Sequence, residues 1–213
     1  MDRKKVFSHV ACVVLAAGFS TRMKRFKPLL PFGRGTVLAF AAGVWREAGI
    51  DQILAVAGHK AELVEAEAGR IGIASVRNPR PEDGMYSSVK AGLAQALARF
   101  PGASWFGVHP VDIPLVDPAC VRALAERAPA CRADCLVPLY EGRRGHPPLL
   151  ARRFAQRACA SEPQGGLRGL LEDACVEELA LASAFGDRDM DRPEDYERAL
   201  AELAAWRPET WRP

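Results

Sequence analysis

Nowhere in these 213 residues is there a run of the roughly 20 apolar residues that a membrane-spanning helix needs. Two Gly-rich phosphate cradles, GxxxxGK[ST] and GxGxxG, are also missing. Their absence excludes a Walker-type loop and speaks against a dinucleotide-binding dehydrogenase. The six cysteines (Cys12, Cys120, Cys131, Cys135, Cys159 and Cys175) form no CxxC pair and no Cys/His zinc spacing, so they read as reduced, mostly buried thiols. Net charge is scarce as well. At +3 it is too small to imply nucleic acid or a membrane surface as partner. No repeat or low-complexity segment interrupts the chain.

What is present suits one domain with a substantial core: 49% of the residues are hydrophobic and 26% charged. The expectation is a single domain over residues 1–206 with a Pro-containing tail at 207–213. The beginning, MDRKKVFSHVACVVLAAGF, has the basic start and apolar run of a signal peptide. It lacks a persuasive cleavage site and reads better as a first buried strand, which predicts a cytoplasmic protein.

Short apolar strands alternate with helical patterns almost to the end. Strands are predicted at 9–15, 52–57, 73–77, 104–109, 135–140, 147–150 and 176–181. Helices are predicted at 37–48, 61–68, 87–99, 118–127, 152–159, 167–173 and 193–205. That order implies an α/β fold, a mainly parallel sheet covered on both faces. The turn EGRRGHPP (141–148) between two late strands predicts a small mixed section. Ligands of such sheets bind beyond the carboxyl ends of the strands. The segments there are the informative ones.

The first strand is followed by LAAGFSTRMKRFK (15–27), where Arg22, Lys24, Arg25, Lys27 and then Arg34 occur without one acidic residue. Such crowding is unfavourable unless something anionic sits nearby. Arg22 can take a phosphate bidentately, Lys27 adds a mobile charge, and Gly18 allows close backbone approach. An ordinary solvated loop is the alternative. The fourth strand is followed by HPVDIP, placing Asp112 where a carboxylate can ligate Mg²⁺ or serve as a turn residue. Asp117, before Pro118, reads as a helix N-cap. Asp187, Asp189 and Asp191 recur at spacing two and would share a face, with Asp191 also a candidate helix cap. Gly84, Ser87 and Ser88 stand at a turn and helix start, and either serine could cap that helix.

These motifs resemble the MobA-like NTP transferases, whose first motif is LAAGxSxRMGxxK. Within that family the molybdenum-cofactor cytidylyltransferase branch fits best. KPLLPFG (27–33), DGMYSSVKAGL (83–93), RGHPPLL (144–150) and DMDRPEDY (189–196) carry the resemblance further. It implies a Rossmann-like three-layer nucleotidyltransferase fold and transfer of CMP from CTP to the terminal phosphate of molybdopterin, with release of pyrophosphate. Arg22, Lys27 and Asp112 would then be catalytic. Leu15, Ala16, Ala17, Gly18, Gly84 and Ser88 would frame the nucleotide; Asp112, Asp189 and Asp191 would hold Mg²⁺; Arg144, Gly145 and His146 would meet the acceptor. The resemblance leaves room for a molybdoenzyme or maturation chaperone as recipient of the product. GTP in place of CTP, a sugar- or alcohol-phosphate acceptor, and a non-catalytic nucleotide-binding domain are the competing readings. Two departures stand out. The family glycine after RM is Lys24, which predicts a loop that avoids glycine-only conformations. An acidic GDxGxR-type segment is replaced by PQGGLRG (163–169).

Overall fold

The computed structural model describes residues 6–182 and 188–206. Its elements follow the predicted order. They are β1 (Val10–Leu15), β2 (Pro31–Phe32), β3 (Gly35–Thr36), α1 (Val37–Ala48), β4 (Ile53–Ala57), α2 (Ala61–Arg70), β5 (Ala74–Arg77), α3 (Met85–Arg99) and β6 (Trp105–Pro110). Then come α4 (Pro118–Arg127), β7 (Cys135–Tyr140), β8 (Arg143–Arg144), β9 (Leu149–Ala151), α5 (Arg152–Ala160), α6 (Gly166–Glu172), β10 (Val176–Ala180) and α7 (Pro193–Trp206). The seven predicted strands and seven predicted helices are all present. Sequence patterning did not resolve β8 or the β2–β3 hairpin, because two-residue strands carry no periodicity.

The main sheet runs β10-β7-β9-β6-β1-β4-β5, with β8 on the flank of β7. The β6-β1-β4-β5 half is parallel throughout, while β9 lies antiparallel to both β6 and β7. The mixed section is thus where the late turn predicted it. Side chains of β1 alternate between two cores. Val10, Cys12 and Val14 pack with α1, α2, α4 and α7, whereas Ala11, Val13 and Leu15 pack with α3 and α5. Three layers follow from that alternation.

Local signals set the element ends. Thr36 caps α1 by accepting from the Ala39 N–H at 3.1 Å, and Asp117 caps α4 through the Ala119 N–H at 2.8 Å. α3 lies so close to the sheet that a methyl on Gly92 would stand 2.4 Å from Val13 Cγ1. The cysteines are all free thiols: four are buried, Cys159 is half-buried and Cys175 exposed. Among the described residues no helix is long and apolar enough to cross a membrane.

Candidate active site

The carboxyl ends of the adjacent strands β1 and β6 open a cleft that α3 closes from one side. Leu15, Ala17, Gly18, Ser20 and Lys27 line it from the first loop, Gly84, Met85 and Ser88 from the start of α3, and Asp112 from beyond β6. The predicted nucleotide set therefore converges, with one exception. Ala16 packs into the opposite core, and its N–H is taken by Val56 O at 3.0 Å. A methyl on Gly18 would meet no protein atom, so any demand for glycine there comes from a ligand. Gly84 is different: at φ 91, ψ 178 it occupies backbone space closed to other residues, and it leads into α3 with no side-chain cap. The first N–H groups of α3 are thus left for whatever enters the cleft.

Ser87 does not cap α3, contrary to the sequence reading. The helix begins earlier, at Met85, and the Ser87 hydroxyl lies within hydrogen-bond distance of the Gly84 and Arg80 carbonyls. The organiser here is Asn78, buried at the end of β5. Its side-chain N–H₂ donates to Ser87 Oγ at 2.8 Å and Ser88 Oγ at 3.0 Å, and its Oδ1 accepts from the Arg80 N–H. Ser88 therefore accepts from Asn78 and keeps its own proton for an acceptor in the cleft. Nothing in the local sequence pattern marks Asn78 for this role.

The charged end of the cleft is assembled from three distant segments. Lys27 Nζ lies 3.1 Å from Asp112 Oδ2 and 2.7 Å from Asp191 Oδ1. Arg22 reaches the other oxygen of Asp191 at 2.5 Å. The acid-free basic loop thus has acids after all, 85 and 164 residues along the chain from Lys27. Burial works against the charge on Lys27, but Asp112 and Asp191 outweigh it and hold the ammonium above the ordinary lysine range. Asp191 is held low, first by its hydrogen bond from Lys27. It caps no helix; Asp195 takes that role on the Arg192 N–H. The Arg22–Asp191 pair is exposed on the arginine side, so it contributes at most about 1 kcal/mol and is readily exchanged for a phosphate.

Met190 anchors the third segment. It is buried, and its N–H donates to Asp112 O at 2.8 Å, leaving Asp189 and Asp191 together on the outer face. That is the predicted alternation; Asp187 lies outside the described residues. Asp189 has no ion pair or hydrogen bond among the described residues. Its carboxyl is pushed above the usual range by burial, then by Asp191 and Asp112. This donor set is short of positive charge and fits a hard divalent cation. Among the described residues no three metal-ligating side chains stand ready-grouped, because Lys27 Nζ lies between Asp112 and Asp191.

Asp112 is positioned from below by His109, the residue near the end of β6. The buried Trp45 Nε1–H donates to His109 Nδ1 at 2.8 Å, so Nε2 carries the proton and donates to Ile113 O, also at 2.8 Å. The Trp45 N–H favours the neutral ring and the Ile113 carbonyl the charged one; burial, the largest influence, lowers the pKa to about 4.

Lys24 takes a left-handed turn at φ 56, a region that Ser20, Lys60 and Glu141 also adopt, so the loop does avoid conformations open to glycine alone. The turn closes with the Lys24 N–H on Thr21 O at 3.3 Å. Left-handed backbone costs a non-glycine residue about 1 kcal/mol, which the surrounding loop absorbs.

A second cleft adjoins the first across Met85. Arg144, Gly145 and His146 line it together with Val137, Leu167 and Arg168. Arg144 does not point freely into it, since its guanidinium is paired with Glu178 on β10 at 2.6 Å. His146 Nδ1 is buried, with no hydrogen-bond partner among the described residues.

This arrangement, a basic strand-end loop against separated carboxylates, accords with a match of residues 12–180 to the MobA-like NTP transferase domain. The chain belongs to that family. Among MobA-like proteins, it is 27% identical to the molybdenum cofactor cytidylyltransferase of Escherichia coli (strain K12), over 89% of this chain and 94% of that one. It is 29% identical to a probable molybdenum cofactor guanylyltransferase of Mycobacterium avium (strain 104), over 92% and 97%. The crystal structure of Rv0371c from Mycobacterium tuberculosis H37Rv superposes with a TM-score of 0.75 at 30% identity, covering 91% of this chain and 98% of that one. A second structure of that mycobacterial protein is a complex with manganese. The MobA-like assignment makes the α/β frame and nucleotidyltransferase chemistry a common inheritance of this chain and its relatives.

Proposed function

We propose that this protein transfers CMP from CTP to the terminal phosphate of a molybdopterin-type acceptor. An acceptor phosphate oxygen attacks the α-phosphorus of CTP, the bond from the α-phosphorus to the bridging oxygen breaks, and pyrophosphate leaves with the electron pair. The observation that carries the reading is the Lys27–Asp112–Asp191 constellation at one end of a cleft whose other end presents a proton-bearing Ser88.

Little covalent work falls to the protein in such a displacement; alignment and charge neutralisation are what it supplies. Lys27 and Arg22 exchange their carboxylate partners for phosphate oxygens of the triphosphate. Asp112, with Asp189 and Asp191, would hold Mg²⁺, which neutralises charge on the phosphates when bound. Ser88 donates to an acceptor on the base edge. His146 lines the second cleft, on the acceptor side, and Arg144 would leave Glu178 to meet the acceptor's phosphate.

The choice of CTP rests on the cleft floor. A methyl on Gly58 would stand 2.6 Å from the Ala17 methyl and 2.9 Å from Pro81, so the floor beneath Ala17 is already closely packed. With the Ala17 methyl standing on it, that packing supports a narrow base pocket and so the pyrimidine reading. The names of the relatives include both cytidylyl- and guanylyltransferases. The test is therefore an NTP panel with Mg²⁺, reading pyrophosphate release against molybdopterin and several sugar phosphates, with melting shifts in parallel. CTP should give the larger melting shift and the faster release. A larger response to GTP overturns the base assignment, and turnover only with a sugar phosphate overturns the acceptor.

A further inference from the structure

Phe19 takes no part in the chemistry above, yet it stands in the wall of the first cleft. Four large hydrophobic side chains are exposed among the described residues, and two of them, Phe19 and Met85, border this cleft. At 45% exposure Phe19 keeps much of an aromatic ring in water beside a site rich in charge. The ring is held rather than free. It packs on the His59 imidazole, with centroids 5.1 Å apart and planes tilted by 36°. His59 in turn meets Phe26 at 5.9 Å and 74°, an edge-on contact. Phe26 packs against the core, and the Lys60 ammonium lies 5.5 Å from its ring centroid. The His59 N–H donates to Ala17 O at 3.1 Å, which ties the turn after β4 to the loop after β1. A row of three rings thus runs outward from the core and ends on Phe19. From this row we propose that Phe19, backed by His59, is the platform on which the base of the bound NTP stacks. The proposal rests on the nucleotidyltransferase reading for the identity of its ligand.

The rest of the cleft leaves such a platform wanting. Lys27 and Arg22 meet phosphate oxygens, so the charged end cannot tell a nucleotide from inorganic triphosphate. Ser88 offers one hydrogen bond to a base edge and nothing to its face. An aromatic ring supplies that missing contact, and covering it removes apolar surface from water. Because His59 sets the ring before any ligand arrives, little ordering is left for binding to accomplish. Phe19 lines the first cleft and not the second, which favours the nucleotide over the acceptor as its partner. A division of labour follows. Phe19 holds bases alike, since every base has a π-face, while Ser88 and the floor at Ala17 select among them.

A ring that only braced the basic loop would look the same in the free protein, and the test separates the two roles. Calorimetry in Mg²⁺ would compare wild type, F19A and F19Y with CTP, GTP and inorganic tripolyphosphate. F19A should weaken whichever nucleotide the wild type binds by about tenfold. Tripolyphosphate affinity should change less than about twofold, because it has no base to stack. F19Y keeps the aromatic face and should bind the nucleotide as the wild type does. In steady state the NTP KM of F19A should rise in step, with kcat and acceptor KM moved less than about twofold. Unchanged nucleotide affinity in F19A overturns the proposal. So does an equal loss for tripolyphosphate, which would mark a brace, or a loss in F19Y as large as in F19A. Weakened nucleotide binding in F19A, with no turnover of any NTP by the wild type, would sink the nucleotidyltransferase reading and leave the platform. Turnover with unaltered nucleotide affinity in F19A would do the reverse.

Discussion

The two clefts that meet at Met85 are built by different means. Walls of the first are strand ends and buried polar groups that hold one another: Asn78 fixes Ser88, His109 fixes the turn bearing Asp112, and Lys27 joins Asp112 to Asp191. The second shares Met85, at 66% exposure, with the first; buried Val137 backs it, but its outer wall is exposed Arg144 and α6, which has no buried residue. Its arginine is turned aside onto Glu178. A cleft of the first kind is ready before its ligand arrives. One of the second kind must exchange partners as the ligand enters, so part of the binding energy goes into rearrangement.

The largest effect should come from breaking the pre-set wall at its charged end. Asp112→Asn keeps the shape but removes the charge that faces Lys27. Pyrophosphate release should fall by about 10²–10³-fold, the scale of losing a preorganised electrostatic group. Circular dichroism would confirm an intact fold, and near-normal release would take Asp112 out of the chemistry.

Acid should loosen the same wall from beneath. His109 sits at a pKa of about 4, below the ordinary 6.5. The unfolded chain therefore takes up a proton that the folded ring refuses. Its contribution to stability is complete above pH 6.5 and is lost as pH falls toward 4. Urea denaturation should show a loss on the order of 2 kcal/mol between pH 7 and 5 from this group. His109→Gln can still accept from Trp45 and donate to Ile113, and should flatten that slope. If the slope persists unaltered in the variant, His109 is not its source.

The smallest effect belongs to the second cleft and sharpens the contrast. Arg144→Ala should raise acceptor KM by about fivefold, with kcat little changed. Glu178→Gln should lower KM by releasing Arg144. Opposite signs in the two variants would mark a partner exchange, whereas parallel losses would mean that the ion pair serves only β8 and β10.

Much of the frame was legible because its strands are continuously apolar and its helices periodic, so β1, β4, β6 and the helices between them declare themselves locally. The strand-end rule then collected Lys27, Asp112 and Asp191 at one mouth. What local pattern could not show was pairing across long separations. The Lys27 bridge, the Asn78 hydrogen bonds and the Arg144–Glu178 contact depend on which strands become neighbours. The left-handed turn at Lys24 was equally out of reach, because the fold enforces a backbone that the side chain alone would not choose.

Lys27 also separates two events in the life of the protein. Many carboxylate clusters repel one another until a cation arrives, so folding and metal loading become one step. Here an ammonium from the chain itself already sits at 3.1 and 2.7 Å from two of the acids. On the proposed metal reading the fold would not wait on the cation, and its shortage would cost turnover rather than stability.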